Sequence, residues 1–95
     1  MKSLPSGAIR YGQAPLFTQD SIPEHLRHEH TTKSGNWAQV RVVSWKLHYR
    51  ILGDVPEEHI LGPNTPGVVE PNTPHEVEAL GEVRCYVEFY TQADH

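Results

Sequence analysis

Apolar and polar residues alternate one for one along two stretches of the chain. In the first, Val43, Trp45, Leu47, Tyr49 and Ile51 are set against Ser44, Lys46, His48 and Arg50. In the second, Val83, Cys85, Val87 and Phe89 are set against Arg84, Tyr86, Glu88 and Tyr90. A period of two sends successive side chains to opposite faces of a strand, so each stretch predicts a strand with one buried face. Shorter apolar runs bounded by Pro, Gly, Asn and Asp extend the pattern, giving expected strands at residues 14–18, 26–30, 36–44, 45–52, 57–61, 67–70, 75–80 and 83–91. Eight Pro and seven Gly cut the chain into these pieces, and only residues 22–27 offer even a short helical turn. The expected class is all-β, a sandwich or a barrel.

An octapeptide repeat lies in the second half. Pro63-Asn64-Thr65-Pro66-Gly67-Val68-Val69-Glu70 runs directly into Pro71-Asn72-Thr73-Pro74-His75-Glu76-Val77-Glu78, with six of eight positions identical. Two prolines restrict the backbone of each unit, and Asn sits where its side chain can serve a turn, so each unit reads as a turn followed by a short strand. Two units are too few for a solenoid. They predict two successive corners of a small barrel, distinguished by His75 where the first unit has Gly67.

Composition narrows the function classes. A chain of 95 residues has room for one core, so residues 1–95 are expected to form a single domain. Mean hydropathy is −0.55, yet the apolar residues are clustered, which favours a folded domain over a disordered chain. The net charge of −4 and the scattered Lys and Arg argue against nucleic acid or an anionic membrane as partner. With neither a leader-like start nor a run approaching the ~20 apolar residues that span a bilayer, a cytoplasmic location is expected. The single Cys85, in an alternating apolar segment, reads as a packed thiol in a reducing compartment.

Seven His residues supply the candidate chemistry. His28 and His30 are two apart at the end of an expected strand, where both imidazoles can address one ion or simply decorate an exposed strand end. His75 shares its expected face with Val77 and Ala79 and so points inward, where an imidazole must be hydrogen-bonded, charged or metal-bound. Glu70 is expected on the face of Val68, although its repeat counterpart Glu78 shows that the motif can place a Glu without a special task. No nucleophile elbow, phosphate loop or paired-Cys motif is present.

The string His30-Thr31-Thr32-Lys33-Ser34-Gly35-Asn36-Trp37, the run from Val68 to Val77 and the closing Val87-Glu88-Phe89-Tyr90 resemble a family of small bacterial tellurite-resistance-like proteins. The resemblance spans Leu4 to Tyr90 and implies a cupin-type double-stranded β-helix, a jelly-roll barrel, like the N-terminal domain that precedes a methyltransferase in tellurite-resistance protein B. It implies His30, Glu70 and His75 as metal ligands, with Lys33 and Trp37 lining a pocket. The stretch after His30 lacks the Glu of the ordinary cupin motif, so His28 or Glu88 is the alternative ligand. A divalent transition metal is the expected cofactor, zinc first, with iron, manganese or nickel as alternatives.

The function expected from these features is a metal-binding cupin that binds or senses a small molecule or ion, in a stress response such as tellurite resistance. The alternatives are a dioxygenase- or isomerase-type enzyme with a two-His-one-carboxylate site, or a structural module whose His residues are only hydrogen-bonded. Exposed sheet edges point to a homodimer.

Overall fold

The computed structural model describes residues 1–23 and 35–92, and the expected strand at 26–30 lies outside them. The described residues form eight strands in order: β1 (Ala8–Gln13), β2 (Phe17–Thr18), β3 (Asn36–Ser44), β4 (Leu47–Ile51), β5 (Glu57–Leu61), β6 (Gly67–Val69), β7 (His75–Ala79) and β8 (Arg84–Gln92). They form two antiparallel sheets. The larger has the order β1-β8-β3-β6, with β2 also on β8, and the smaller has the order β5-β4-β7. The class is therefore all-β, as the periodicity predicts. The closed barrel implied by the resemblance does not appear in the pairing, because among the described residues no strand pair hydrogen-bonds one sheet to the other.

The long strands β3 and β8 form the spine of the larger sheet, in register from Asn36 opposite Thr91 to Val42 opposite Cys85. Their inward residues Ala38, Val40 and Val42 meet Cys85 and Val87 in the core, to which the smaller sheet adds Leu47, Tyr49, Ile51, Leu61 and Val77. Leu47, Leu61, Val83 and Cys85 have no measurable exposure. Burial of a Leu or Val side chain stabilises by about 1.5–3 kcal/mol each, so this interdigitation holds the sheets together without a continuous ladder.

Two sequence expectations change. The alternation through Val43 and Trp45 does not mean burial: both are about half exposed, at 50% and 55%. The register between β3 and β8 shifts between Val42 and Ser44, and Trp45 takes a left-handed backbone with φ of 67°. The chain turns there from one sheet to the other, which resets the inward parity at Leu47. The second change is β1, where no strand is expected. Its Ile9 and Tyr11 are exposed and its register against β8 shifts between Arg10 and Gly12, so this edge strand lacks the apolar alternation that marks a buried one.

The octapeptide repeat folds as two turn-plus-strand units, but they lead into different sheets. The first turn is closed by reciprocal backbone bonds between Gly62 and Thr65 and opens β6 of the larger sheet. The second places Asn72 at φ 56°, a conformation Asn tolerates, and opens β7 of the smaller sheet.

Candidate functional site around Tyr49

Period two along β4 and β5 places Tyr49, Glu57 and His59 on the inward face, since they share parity with buried Leu47 and Leu61. Tyr49 lies opposite His59 on β5 and Val77 on β7, and the neighbouring Ile51 lies opposite His75. Polar side chains from three strands thus gather at one end of the inter-sheet space. The Tyr49 ring centroid is 6.4 Å from that of His59 and 6.2 Å from that of His75, the latter edge-on. Tyr49 Oη donates a 2.9 Å hydrogen bond to the Val68 carbonyl, which lies on the opposite sheet.

Each group here has a defined state. Burial, reinforced by the charges of Glu70 and Glu57, pushes the Tyr49 hydroxyl above its ordinary pKa, so it remains a protonated donor. His75 is 4% exposed, and its Nδ1 donates to the Thr73 carbonyl at 3.1 Å, which places a proton on that nitrogen. Hydrogen bonds from the Met1 amino group at 2.6 Å and from His59 Nε2 at 3.2 Å hold the Glu57 carboxyl below the usual carboxylate range. Lys2 Nζ is 3.5 Å from Glu70 Oε1, and the Met1 thioether accepts from the Val68 amide at 3.2 Å. The cluster can donate and accept hydrogen bonds through His59 and Glu57, both partly exposed, while Tyr49 and His75 are fixed within the packing.

Of the expected site residues, the structure brings Glu70 and His75 to the same tyrosine, with Glu70 half-buried and His75 buried. His28, His30 and Lys33 lie outside the described residues. Glu88, the alternative ligand, is on the opposite side of the larger sheet. It shares the outward parity of Arg84, and its two oxygens take Arg41 Nε at 2.8 Å and Arg10 Nη1 at 2.7 Å. Among the described residues, no three His, Cys, Asp or Glu side chains are grouped so as to hold a metal ion. Sequence reasoning missed Glu57 and His59. Their signal was the parity of Leu61, which carries its i−2 and i−4 neighbours inward.

Comparison with known proteins corrects the functional expectation. Residues 12–87 match the model of the TehB-like domain family. Over 91 residues the chain is 37% identical to a protein of Haemophilus influenzae (strain Rd) named as a probable S-adenosyl-L-methionine-dependent methyltransferase, TehB. That match covers 90% of this chain and 32% of the relative. The crystal structure of TehB from Haemophilus influenzae superposes with a TM-score of 0.83 over 92% of this chain and 32% of that one. A protein from Escherichia coli K12, 17% identical, shares the fold with a TM-score of 0.88 over 99% of this chain and all of that one.

This chain spans about a third of the length of the curated relative it matches. Because the curated relatives are named as methyltransferases that depend on S-adenosylmethionine, the expected metal-binding cupin, its zinc or other transition-metal cofactor, and the dioxygenase or isomerase alternative do not stand. The buried imidazole that suggested a metal is a satisfied hydrogen-bond donor at Thr73. With most of its length matched by the family model and more than a third of its residues shared with TehB, the chain belongs to the TehB-like domain family.

Proposed function

We propose that this chain is the β-module of a methyl-transfer system that depends on S-adenosylmethionine, and that it supports a separate catalytic unit without itself holding the cofactor. The observation that carries this reading is the mismatch in coverage: nine-tenths of the chain aligns to under a third of a methyltransferase. The residues present do not fit S-adenosylmethionine. Adenosine cofactors are commonly seated at the carboxyl ends of parallel strands, against a glycine-rich turn and a helix N-terminus. The described residues contain antiparallel pairs only and no helix, so no chemical step is routed through the cofactor on this chain. Equivalence to the domain that precedes the methyltransferase in TehB is part of the proposal, as is tellurite resistance as its setting.

Strand order supports a finer statement of fold, a jelly roll. Along the chain, β3 lies in the larger sheet, β4 and β5 in the smaller, β6 in the larger, β7 in the smaller and β8 in the larger, the back-and-forth path of that architecture.

Two measurements test the proposal together. Titration of this chain with S-adenosylmethionine is expected to give no saturable binding. Grafting this chain in place of the matching third of the Haemophilus influenzae protein is expected to preserve methyl transfer, whereas deletion of that third reduces it. Stoichiometric cofactor binding by this chain alone, or a deletion that leaves the rate unchanged, overturns the reading.

A further inference from the structure

The outward faces of the two sheets carry opposite charge. On the larger sheet, Arg10, Arg41 and Arg84 stand against one carboxylate, Glu88, an excess of two positive charges on a chain whose net charge is −4. On the smaller sheet, Glu58, Glu76 and Glu78 stand against Arg50, an excess of two negative formal charges. Arg50 Nη1 lies 2.9 Å from His48 Nδ1, and His48 Nε2 lies 3.0 Å from Glu58 Oε1, so the imidazole bridges strands β4 and β5 on this face.

The basic face is organised as well as charged. Glu88 has a side-chain exposure of only 7% although its strand position points away from the core, because Arg10 and Arg41 close over it. One buried carboxylate thereby holds two guanidinium groups in fixed orientation, at side-chain exposures of 55% and 42%. Trp37 and Tyr90 face one another across β3 and β8 beside them, and Tyr86 faces Arg41. Trp, Tyr and Arg are the residue types that dominate the energetic centres of protein interfaces, and a preordered Arg loses less freedom on binding. The acidic face offers complementary carboxylates together with Ile60, which is 53% exposed.

We infer that the basic, aromatic outer face of the larger sheet docks the acidic outer face of the smaller sheet of a second copy of this chain. Pairing like faces sets arginines against arginines or glutamates against glutamates, so the contact joins unlike faces and is heterologous, able to add further copies until a ring closes. A face of three strands and five residues is about 15 by 17 Å, well below the roughly 800 Å² per partner of a standard stable interface, so the association is weak and transient. It is also salt-sensitive, since both faces are solvated.

Sedimentation velocity over a concentration series tests this with the full chain. At low ionic strength the average mass is expected to rise with concentration, and the association to weaken roughly tenfold when about 0.5 M salt is added. A Glu58→Lys, Glu78→Lys chain, altered only at exposed positions, is expected to remain monomeric alone. Mixed with the wild type it still presents a native basic face and forms mixed complexes that shorten the larger species. Arg84→Glu, an exposed change on the other face, weakens self-association independently. A wild type that stays monomeric across the whole concentration series at low salt, or a Glu58→Lys, Glu78→Lys chain that associates as the wild type does, overturns the inference.

Discussion

Tyr49 Oη and the Val68 carbonyl, 2.9 Å apart, form a hydrogen bond that crosses from the smaller sheet to the larger. Leu61, with the same tyrosine beside it, leaves little room at the first residue of β6: a Cβ built on Gly67 lies 2.6 Å from Leu61 Cδ1 and 3.2 Å from Tyr49 Cδ2. This explains the one informative difference between the two repeat units. Glycine fits where the strand passes against Leu61 and Tyr49 without forcing either to shift, and His75 is accommodated where the strand lies beside Tyr49. Gly67→Ala is expected to destabilise by about 1–3 kcal/mol through overpacking, and Tyr49→Phe by about 1–2 kcal/mol through loss of the donor to Val68. Gly53→Ala, with nothing within 4 Å, is the control and is expected to stay within about 0.5 kcal/mol of wild type. Urea unfolding midpoints at constant slope check all three.

Much of this architecture was legible in the sequence because it rests on local periodicity. β3 and β5 have the expected boundaries, and β4, β6, β7 and β8 fall within a residue or two of theirs. What was illegible depends on pairing between distant segments. Nothing local tells that Trp45 begins a change of sheet rather than continuing an inward face, or that Ile9 and Tyr11 belong to an edge strand against β8. The candidate site divides in the same way. His75 was legible because Val77 shares its parity, whereas the approach of His59 and Glu57 to Tyr49 needs the register between β4 and β5. The likeness to tellurite-resistance protein B was legible in strings such as the one from His30 to Trp37, whereas the cupin-type metal site attached to that likeness does not stand beside the methyltransferase relatives.

Trp45 and Gly81 form a second close pair. Trp45 Nε1 donates to the Leu80 carbonyl at 3.0 Å, and Lys46 Nζ lies 5.5 Å from the indole centroid. A Cβ on Gly81 meets that indole at 2.6 Å, and the backbone there has a φ of 147°, which L side chains rarely adopt. Gly81→Ala therefore combines a clash with backbone strain and is expected to cost about 1–3 kcal/mol. Because the indole must move, the substitution should also alter near-ultraviolet circular dichroism in the tryptophan region. A stability loss with an unchanged tryptophan signal places the effect in the backbone alone.

Cys85 has no exposed surface, and desolvation pushes its thiol up to about 11. A thiol that is both buried and protonated is a poor nucleophile, since the thiolate is the reactive form. Reaction with a disulfide reagent at mildly alkaline pH is expected to proceed only through unfolding, at a rate that rises with urea as the unfolded population does. Rapid labelling of the native chain, insensitive to urea below the transition, contradicts the packing described for β8.

Glu88 lies on the outward side of that same strand, and its carboxylate links stability to pH. Burial alone raises its pKa, but the hydrogen bonds from Arg41 and Arg10 outweigh burial and leave it below the usual carboxylate value. A carboxylate held lower in the folded state than in the unfolded state contributes stability that is present above its unfolded pKa and lost as pH falls through the folded one. Part of the chain's stability is therefore expected to disappear below about pH 4.5. Glu57, also held low, contributes to the same acid limb, so wild type alone does not isolate Glu88. Glu88→Gln does. At neutral pH it keeps the shape but gives up the charged acceptor for two guanidinium groups, an expected loss of about 1–3 kcal/mol, toward the lower end because both arginines are about half exposed. As pH falls, the wild-type carboxylate protonates and loses the same charge, so the difference in unfolding free energy between the two chains should shrink. A gap that stays constant from neutral pH into the acid limb shows that Glu88 acts through packing, and that the two arginines are held in place by something other than its charge.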